Sequence, residues 1–175
     1  STEYVRAAPG GTGEAKCGGN YAASLVAQKA AAAEGCDQVV WLDAVERKWV
    51  EEMGGMNVFF LVDGQWITPR LTGTMLAGVT RDSILQMSKD IGVPAVEGDL
   101  TLDELIAGVQ SGKISEAFAC GTAATIVGIS EFQVENGPTL RFDPSPGPVT
   151  SKFYKSLIEL QYGQRPDPYG WIQRI

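Results

Sequence analysis

GGTGEAKCGGNYAAS, residues 10–24, places one lysine, Lys16, between two glycine-rich segments and directly before a helix-compatible run. Glycine adopts positive φ freely and lets a ligand approach the backbone closely. Two interpretations of Lys16 stay open. A lone lysine is most often a solvated surface charge. The neighbours of Lys16 are small, neutral or apolar apart from Glu14, however, and a half-buried lysine can lose its proton and form a Schiff base with a carbonyl.

Length and composition predict one domain with an ordinary core. The chain has 175 residues, of which 44% are apolar and 20% are charged, as in average globular proteins. Its net charge of −7 and its pI near 4.6 argue against nucleic acid and against an anionic membrane surface as partners. No apolar run approaches the roughly 18 residues that span a bilayer. Ser1-Thr2-Glu3 opens directly into a strand-like pattern, so we expect no signal peptide.

The cysteine and histidine content narrows the possible chemistry. The three cysteines, Cys17, Cys36 and Cys120, are not spaced like metal ligands, and their odd number does not indicate a disulfide framework. We therefore expect reduced thiols in a cytoplasmic protein. The chain has no histidine, which excludes Ser-His-Asp and Cys-His mechanisms and most zinc sites, and we expect no metal. Catalysis must therefore use lysine, carboxylates, tyrosine, backbone amides or a cofactor.

The residue pattern predicts alternating strands and helices without an internal repeat. A strand is expected over residues 2–8, and a helix from the N-cap Asn20 to Glu34, with Gly35 as its stop. The other expected elements are strands at 38–44 and 49–52, a hairpin of 57–62 and 65–68 turning at Asp63-Gly64, a helix capped by Thr80 and ending at Gly92, a strand at 93–97, a helix at 101–110 with a capping box, a strand at 115–119, a hairpin turning at Asn136-Gly137, and a helix at 149–162.

Two further segments combine glycine with small hydroxyl residues at the start of a helix or the end of a strand. They are Gly78-Val79-Thr80 and Gly121-Thr122-Ala123-Ala124. Free amides at such a position suit a phosphate, although each segment alone is more often an ordinary cap or turn. There is no Gly-Lys-Ser/Thr, and no GxGxxG follows the first strand-like segment, so a P-loop and a Rossmann site are excluded.

Adjacent carboxylates precede Met53-Gly54-Gly55. Because successive strand residues face opposite ways, one of Glu51 and Glu52 can point inward; alternatively, both face water at a sheet edge. A lysine that forms an imine, an inward glutamate and phosphate-type turns are together the requirements of pyridoxal phosphate. We take that cofactor as a hypothesis.

The same segments resemble the motifs of one family, the branched-chain amino-acid aminotransferases, which are fold-type IV pyridoxal-phosphate enzymes. The matching motifs, in this order, are Lys16-Cys17-Gly18-Gly19-Asn20-Tyr21, Glu52-Met53-Gly54-Gly55-Met56-Asn57, Leu76-Ala77-Gly78-Val79-Thr80-Arg81 and Gly121-Thr122-Ala123-Ala124. The resemblance implies an α/β fold, the large domain of the D-amino-acid aminotransferase-like fold, in which helices flank a strand-rich pseudo-barrel.

The resemblance also assigns roles to individual residues. Lys16 would form the Schiff base and move the proton between the substrate Cα and the cofactor. Tyr21 would hydrogen-bond the phenolic oxygen of the cofactor, and Glu52 would pair with its pyridine nitrogen. The other implied cofactor-binding residues are Leu76, Val79, Thr80 and Thr122, and Ala123 and Ala124 would offer amides to the substrate carboxylate.

The implied reaction is transamination of leucine, isoleucine and valine with 2-oxoglutarate in a homodimer. Sibling activities on D-amino acids or aminodeoxychorismate stay open, as does a silent domain that serves only as an assembly surface. We expect residues 1–175 to be the cofactor-binding domain, without the family's N-terminal small domain. Ala124 and Val127 occupy the positions of a thiol pair in mammalian members, so we expect no redox switching of that kind.

Overall fold

The computed structural model of the chain, described over residues 1–173, contains four helices and nine strands within that range. The helices are α1 (Gly18–Ala33), α2 (Val79–Ile91), α3 (Leu102–Gln110) and α4 (Pro148–Gln161). The strands are β1 (Val40–Leu42), β2 (Val50–Met53), β3 (Asn57–Val62), β4 (Gln65–Thr68), β5 (Ala95–Glu97), β6 (Ile114–Gly121), β7 (Thr125–Gly128), β8 (Glu131–Gln133) and β9 (Thr139–Arg141).

A five-stranded sheet with the order β5-β4-β3-β6-β7 forms the centre of the fold. Its neighbouring strands are antiparallel except for β4 and β5, which are parallel. Two smaller antiparallel pairs, β1 with β2 and β8 with β9, complete the strand pairing. The expected mixed α/β class is confirmed.

Strand β3 is covered on both faces, which explains its unbroken apolar sequence. Val58 and Phe60 belong to the core that faces α3 and the β8–β9 pair. Phe59 and Leu61 point the other way, into the core beneath α2 and α4. Because strand side chains alternate, a strand between two cores needs apolar residues at every position. Strand β3 is therefore anchored in two apolar cores.

Local turn and cap signals are largely confirmed. The β3–β4 turn has φ of +48° at Asp63 and +80° at Gly64, as a two-residue hairpin requires. Thr101 and Glu104 form the complete capping box of α3. Gly92 ends α2 with φ of +78°. These signals were readable because each depends on neighbouring residues only.

Some expected elements differ from the structure. Residues 2–8 form no strand, because no neighbouring strand pairs with them within residues 1–173. The sequence also missed β7, since the chain reverses at Thr125, which has φ of +54°, and returns along β6. The expected strands at 38–44 and 93–97 shorten to β1 and β5, whereas the strand at 115–119 lengthens to β6.

Within residues 1–173, no helix is both long and apolar enough to cross a bilayer. Over the same residues, no group of three or more His, Cys, Asp and Glu side chains is arranged to hold a metal ion.

Candidate active site

The hairpin between β2 and β3 is the centre of the candidate site. Met53 and Met56 exchange backbone hydrogen bonds of 3.0 and 2.9 Å across Gly54-Gly55. Gly54 has φ of +58°, and a Cβ built on it would lie 2.0 Å from Oε1 of Gln38. The positive φ therefore favours glycine at this position, where a side chain would also displace the end of the Gln38 side chain. Glu52 is the penultimate residue of β2, just before this turn.

Glu52 is only 2% exposed and forms a buried ion pair with Arg6. Nε of Arg6 lies 2.7 Å from Oε1 of Glu52. The N–H of Arg6 is not aligned with that oxygen, however, so within residues 1–173 Oε1 has a counter-charge but no hydrogen bond. The pair is thus electrostatic, and an acceptor position on the carboxylate is left open.

Burial raises the pKa of Glu52 to about 7, because desolvation disfavours the charged carboxylate. The positive charge of Arg6 acts against this rise, the negative charge of Glu51 adds to it, and the positive charge of Lys16 also lowers the pKa. The carboxyl therefore titrates near neutrality, which is typical of functional sites.

Glu51 is also buried, in its own set of hydroxyl contacts. Its Oε1 accepts hydrogen bonds from Oγ1 of Thr74 at 2.6 Å and Oγ1 of Thr72 at 3.3 Å. Burial raises the pKa of Glu51. The interpretation in which both glutamates face water is therefore wrong: the strand buries one on each side and gives each a different polar partner.

Asn57 joins this hairpin to the segment that the resemblance identifies as the phosphate loop. Nδ2 of Asn57 donates to the carbonyl of Leu76 at 3.1 Å. A Cβ built on Gly78 would lie 2.2 Å from Oδ1 of Asn57, so the two segments are in close contact. The start of α2 is thereby fixed beside the hairpin that carries Glu52.

The first turn of α2 presents free backbone amides. Its N-cap is Gly78 rather than the expected Thr80, and no side chain of the described residues caps it. Glycine occupies the N-cap because a side chain there would collide with Asn57. Thr80 therefore lies in the first turn, where it is half-buried, and the neighbouring Val79 is exposed. Uncapped amides at a helix N-terminus form a ready anion site.

Arg81 does not contribute its charge to this anion site. It is 4% exposed, and its Nη2 donates to the carbonyl of Pro69 and to the carboxylate of Glu97. It therefore holds the loop and β5 together from inside the protein.

The Gly121–Ala124 segment is the turn between β6 and β7. The pairing of Asn57 with Cys120 brings the end of β6 to the start of β3, and a Cβ on Gly121 would lie 3.5 Å from Cγ of Met56. Thr122 and Ala123 are exposed and Ala124 is half-buried. The turn is thus at the same end of the sheet as the Glu52 hairpin.

The loop before α1 is held by Asn20, which does not cap the helix as expected. Helix α1 begins at Gly18 with Cys17 as N-cap. The side-chain amide of Asn20 instead donates to the carbonyls of Thr12 and Ala15, both at 2.7 Å, while Thr12 Oγ1 donates to Asn20 Oδ1 at 2.7 Å. The buried amide therefore closes the loop that ends at Lys16.

Lys16 is exposed, so the expectation of a half-buried lysine is wrong for this chain. Its charge nevertheless acts on Glu52, which places it on that side of the molecule. Tyr21, 42% exposed, lies over the hairpin, with its Cε1 3.5 Å from the position of a Cβ on Gly55. A Cβ on Gly13 would lie 2.2 Å from the carbonyl oxygen of Thr74, so this loop also packs on the segment before Leu76.

The structure thus brings the predicted motifs to one end of the sheet. Sequence reasoning missed Arg6, Thr74 and the side-chain role of Asn57 as parts of this arrangement. Arg6 offered one signal: it is the single basic residue in a short, mostly uncharged segment before the glycine loop.

The residues fit the cofactor that was taken as a hypothesis. Of residues 1–173, Oε1 of Glu52 is the only buried side-chain acceptor without a hydrogen-bond partner. A protonated ring nitrogen is the kind of donor that such an oxygen requires. The uncapped α2 amides suit a phosphate, and an exposed amine is available at Lys16.

A cleft of about 990 Å³ lies away from these residues. Its lining includes Ala27, Leu42, Met53 and Phe132, but none of the residues predicted for the site. We therefore base the site on the clustered motifs and on the Glu52 carboxylate.

Comparison with known proteins agrees with this arrangement. The amino-transferase class IV family matches residues 3–132. A branched-chain-amino-acid aminotransferase of Mycobacterium tuberculosis is 50% identical over the whole chain, which spans 49% of that relative. The chain therefore spans about half the length of the curated relatives it matches.

Solved structures give the same result. A branched-chain amino acid aminotransferase from Escherichia coli superposes with a TM-score of 0.81 at 30% identity, covering 98% of this chain and 55% of that chain. A second branched-chain amino acid aminotransferase, solved in complex with N-(5'-phosphopyridoxyl)-L-glutamate, has a TM-score of 0.80 at 31% identity, with coverages of 98% and 53%. Together with the family match over most of its length, these likenesses show that the chain belongs to the class IV aminotransferases.

Proposed function

We propose that this chain is the cofactor-binding large domain of a pyridoxal-phosphate-dependent branched-chain amino-acid aminotransferase. The buried carboxylate of Glu52 carries the proposal, because no donor among residues 1–173 hydrogen-bonds its Oε1. Glu52 also lies in the hairpin that the other motifs contact. The name of the Mycobacterium tuberculosis relative supports the activity. The phosphopyridoxyl ligand of the second solved structure supports the cofactor.

Each residue of the site has a task that its position permits. Glu52 would accept a hydrogen bond from the ring nitrogen, and Tyr21 would donate one to the phenolic oxygen. The amides of Val79 and Thr80 and the hydroxyl of Thr122 bind the phosphate. Bound pyridoxal phosphate supplies an electron sink that makes the Cα proton of an amino acid acidic. Lys16 would move the proton between the substrate Cα and the C4′ carbon of the bound cofactor.

Substrate binding completes the proposal. The amides of Ala123 and Ala124 receive the substrate carboxylate, and Leu76 contacts the cofactor. The amino donors are leucine, isoleucine and valine, and the acceptor is 2-oxoglutarate. We further propose a separate small domain, because the chain spans only 49% of its relative, and a homodimer. A cytoplasmic location accords with the three cysteines, which are all free.

A spectroscopic experiment tests cofactor binding. The purified chain is mixed with pyridoxal phosphate, and the visible absorbance band of a lysine-bound aldehyde is measured. We expect the band in the wild-type chain and in the control Lys29→Ala, which removes another exposed lysine on α1. Lys16→Ala abolishes it. A folded wild-type chain without the band would contradict the proposal.

Turnover then separates the alternatives. The chain is assayed with L-leucine and D-alanine, alone and mixed with the separately expressed N-terminal half of a relative. We expect faster turnover of L-leucine. A preference for D-alanine would favour a sibling activity, whereas cofactor-free association without turnover in either condition would favour an assembly module.

A further inference from the structure

Arg6 is a buried cation to which neither the motifs nor the proposed mechanism assigns a task. It lies outside the regular elements, and its side chain is 6% exposed. Its Nε faces Oε1 of Glu52 at 2.7 Å, and its Nη1 donates to the carbonyl of Thr74 at 3.0 Å. Gly13 packs against that same carbonyl. Arg6 therefore links β2, the loop before α2 and the Lys16 loop.

The charge of Arg6 matters because Glu52 has almost no contact with water. An ionised carboxylate in such a place is strongly disfavoured without a compensating charge. The charges that act on Glu52 are those of Arg6, Glu51 and Lys16. Glu51 opposes ionisation, and Lys16 is exposed and takes part in the chemistry. Since a guanidinium does not deprotonate in proteins, Arg6 is the permanent counter-charge.

The geometry of the pair leaves Glu52 able to bind a further group. Arg6 directs Nη1 to Thr74, while its Nε approaches Oε1 of Glu52 out of line for a hydrogen bond. The positive guanidinium of Arg6 therefore compensates the negative charge of the Glu52 carboxylate and leaves the acceptor oxygen Oε1 available.

We propose that Arg6 is a positioning residue that favours the ionised form of Glu52 and leaves its acceptor oxygen free for the protonated ring nitrogen of the cofactor. This inference rests on the proposed function for the identity of the ligand. The effect of Arg6 on the ionisation of Glu52 does not rest on the proposed function, because it concerns the chain without ligand. The two parts are therefore tested by different measurements.

Three variants separate charge from structure. Arg6→Gln removes the charge. Arg6→Lys keeps the charge but loses the planar fork that reaches Thr74. Arg70→Gln is the matched control, because Arg70 forms an exposed pair with Asp99 at 3.2 Å. A role limited to holding Thr74 would affect the lysine and glutamine variants alike, whereas a charge role separates them.

The first readout is the titration of the Glu52 carboxyl in the ligand-free chain, followed by carbon NMR of labelled glutamate and assigned with Glu52→Gln. We expect Arg6→Gln to raise the Glu52 pKa by about one unit or more, and Arg6→Lys and Arg70→Gln to change it by much less. An unchanged titration in Arg6→Gln, or equal shifts in the lysine and glutamine variants, would overturn the inference. If Arg6→Gln fails to fold, Arg6→Lys and the double variant Arg6→Gln/Glu52→Gln decide. A double variant that folds supports the charge role of Arg6. A double variant that does not fold refutes this role.

The second readout is the affinity of each folded variant for pyridoxal phosphate. We expect about fivefold weaker binding at pH 7 in Arg6→Gln, because raising a pKa of about 7 by one unit lowers the ionised fraction of Glu52 at that pH about fivefold. Arg6→Lys retains most of the affinity. Equal affinity in wild type and Arg6→Gln would refute the role of Arg6 toward the cofactor. Absence of binding by the wild-type chain would instead refute the proposed function, whatever the carboxyl titration gives.

Discussion

Arg6 and Glu52 form an ion pair of 2.7 Å in which both side chains are more than nine-tenths buried, yet Oε1 of the glutamate accepts no hydrogen bond from residues 1–173. A buried pair of this kind contributes little net stability, because desolvation offsets most of the attraction. Its value is therefore in what the open oxygen can bind. The adjacent Glu51, satisfied by the Thr72 and Thr74 hydroxyls, has no such acceptor to offer.

The stability of the ligand-free chain depends on the titration of Glu52. The folded-state pKa, about 7, exceeds the ordinary value of 4.5, so the native state binds the proton more tightly than the unfolded state. The contribution of Glu52 to stability is therefore greatest below about pH 4.5 and falls as the pH rises to about 7, by about 3 kcal/mol. Chemical denaturation at several pH values measures this.

The comparison needed for that prediction is Glu52→Gln, which cannot titrate and lacks this decline. Glu34→Gln, at the exposed end of α1, is the control and keeps the wild-type profile. Parallel pH profiles for wild type and Glu52→Gln would show that Glu52 titrates normally.

Replacing Gly78 tests the contact between the α2 N-terminus and the Glu52 hairpin. A Cβ at Gly78 meets Oδ1 of Asn57 at 2.2 Å, so Gly78→Ala displaces one of the two segments. We expect a loss of about 1–3 kcal/mol in unfolding free energy. Gly19→Ala is the contrast: it meets no atom within 4 Å and lies inside α1, so a gain of about 0.5–1 kcal/mol is expected. Equal effects of the two variants would contradict the contact.

Asn20→Ala tests the closure of the Lys16 loop. The amide of Asn20 is the partner of Thr12 and Ala15, so its removal leaves these carbonyls without that donor. We expect a loss of about 1–3 kcal/mol and faster hydrogen exchange confined to residues 10–17. Ser24→Ala removes an exposed hydroxyl bond to Tyr21 on the same helix and should change neither quantity. Unchanged exchange in Asn20→Ala would mean that other contacts hold the loop.

Glu116 caps α4 from within β6, and its loss should lower stability more than the loss of the Glu104 cap of α3. Its carboxylate accepts hydrogen bonds from Val149 N at 3.0 Å and from Thr150 N and Oγ1, both at 2.7 Å. Glu116→Ala leaves three donors unpaired, and we expect a loss of about 3 kcal/mol or more. Glu104→Ala, which removes half of the α3 capping box, should cost about 1 kcal/mol. Thermal unfolding compares them, and a larger loss for Glu104→Ala would contradict this ranking.

The sequence predicted features that depend on neighbouring residues and missed those that depend on distant ones. The Thr101–Glu104 capping box and the Asp63-Gly64 turn are local, and both are present as expected. The expected caps Asn20 and Thr80 failed for tertiary reasons. Asn20 serves the glycine loop, and the close approach of Asn57 admits only glycine at position 78.

The same distinction applies to the site. The motifs predicted Lys16, Glu52 and the segment around Gly78 as parts of the site from sequence alone. They could not place Arg6, because its task depends on folding the segment before the glycine loop against β2. Nor could they settle the burial of Glu51, which follows from the Thr72 and Thr74 hydroxyls that the loop before α2 brings to it.

Reductive trapping tests the central claim most directly. The chain is incubated with pyridoxal phosphate at neutral pH, treated with borohydride, digested and analysed by mass spectrometry. We predict a phosphopyridoxyl group on Lys16 at near-unit stoichiometry, with no more than trace labelling of Lys29, Lys48 or Lys113. Labelling spread over these exposed lysines, or a major product at any residue other than Lys16, would contradict the account.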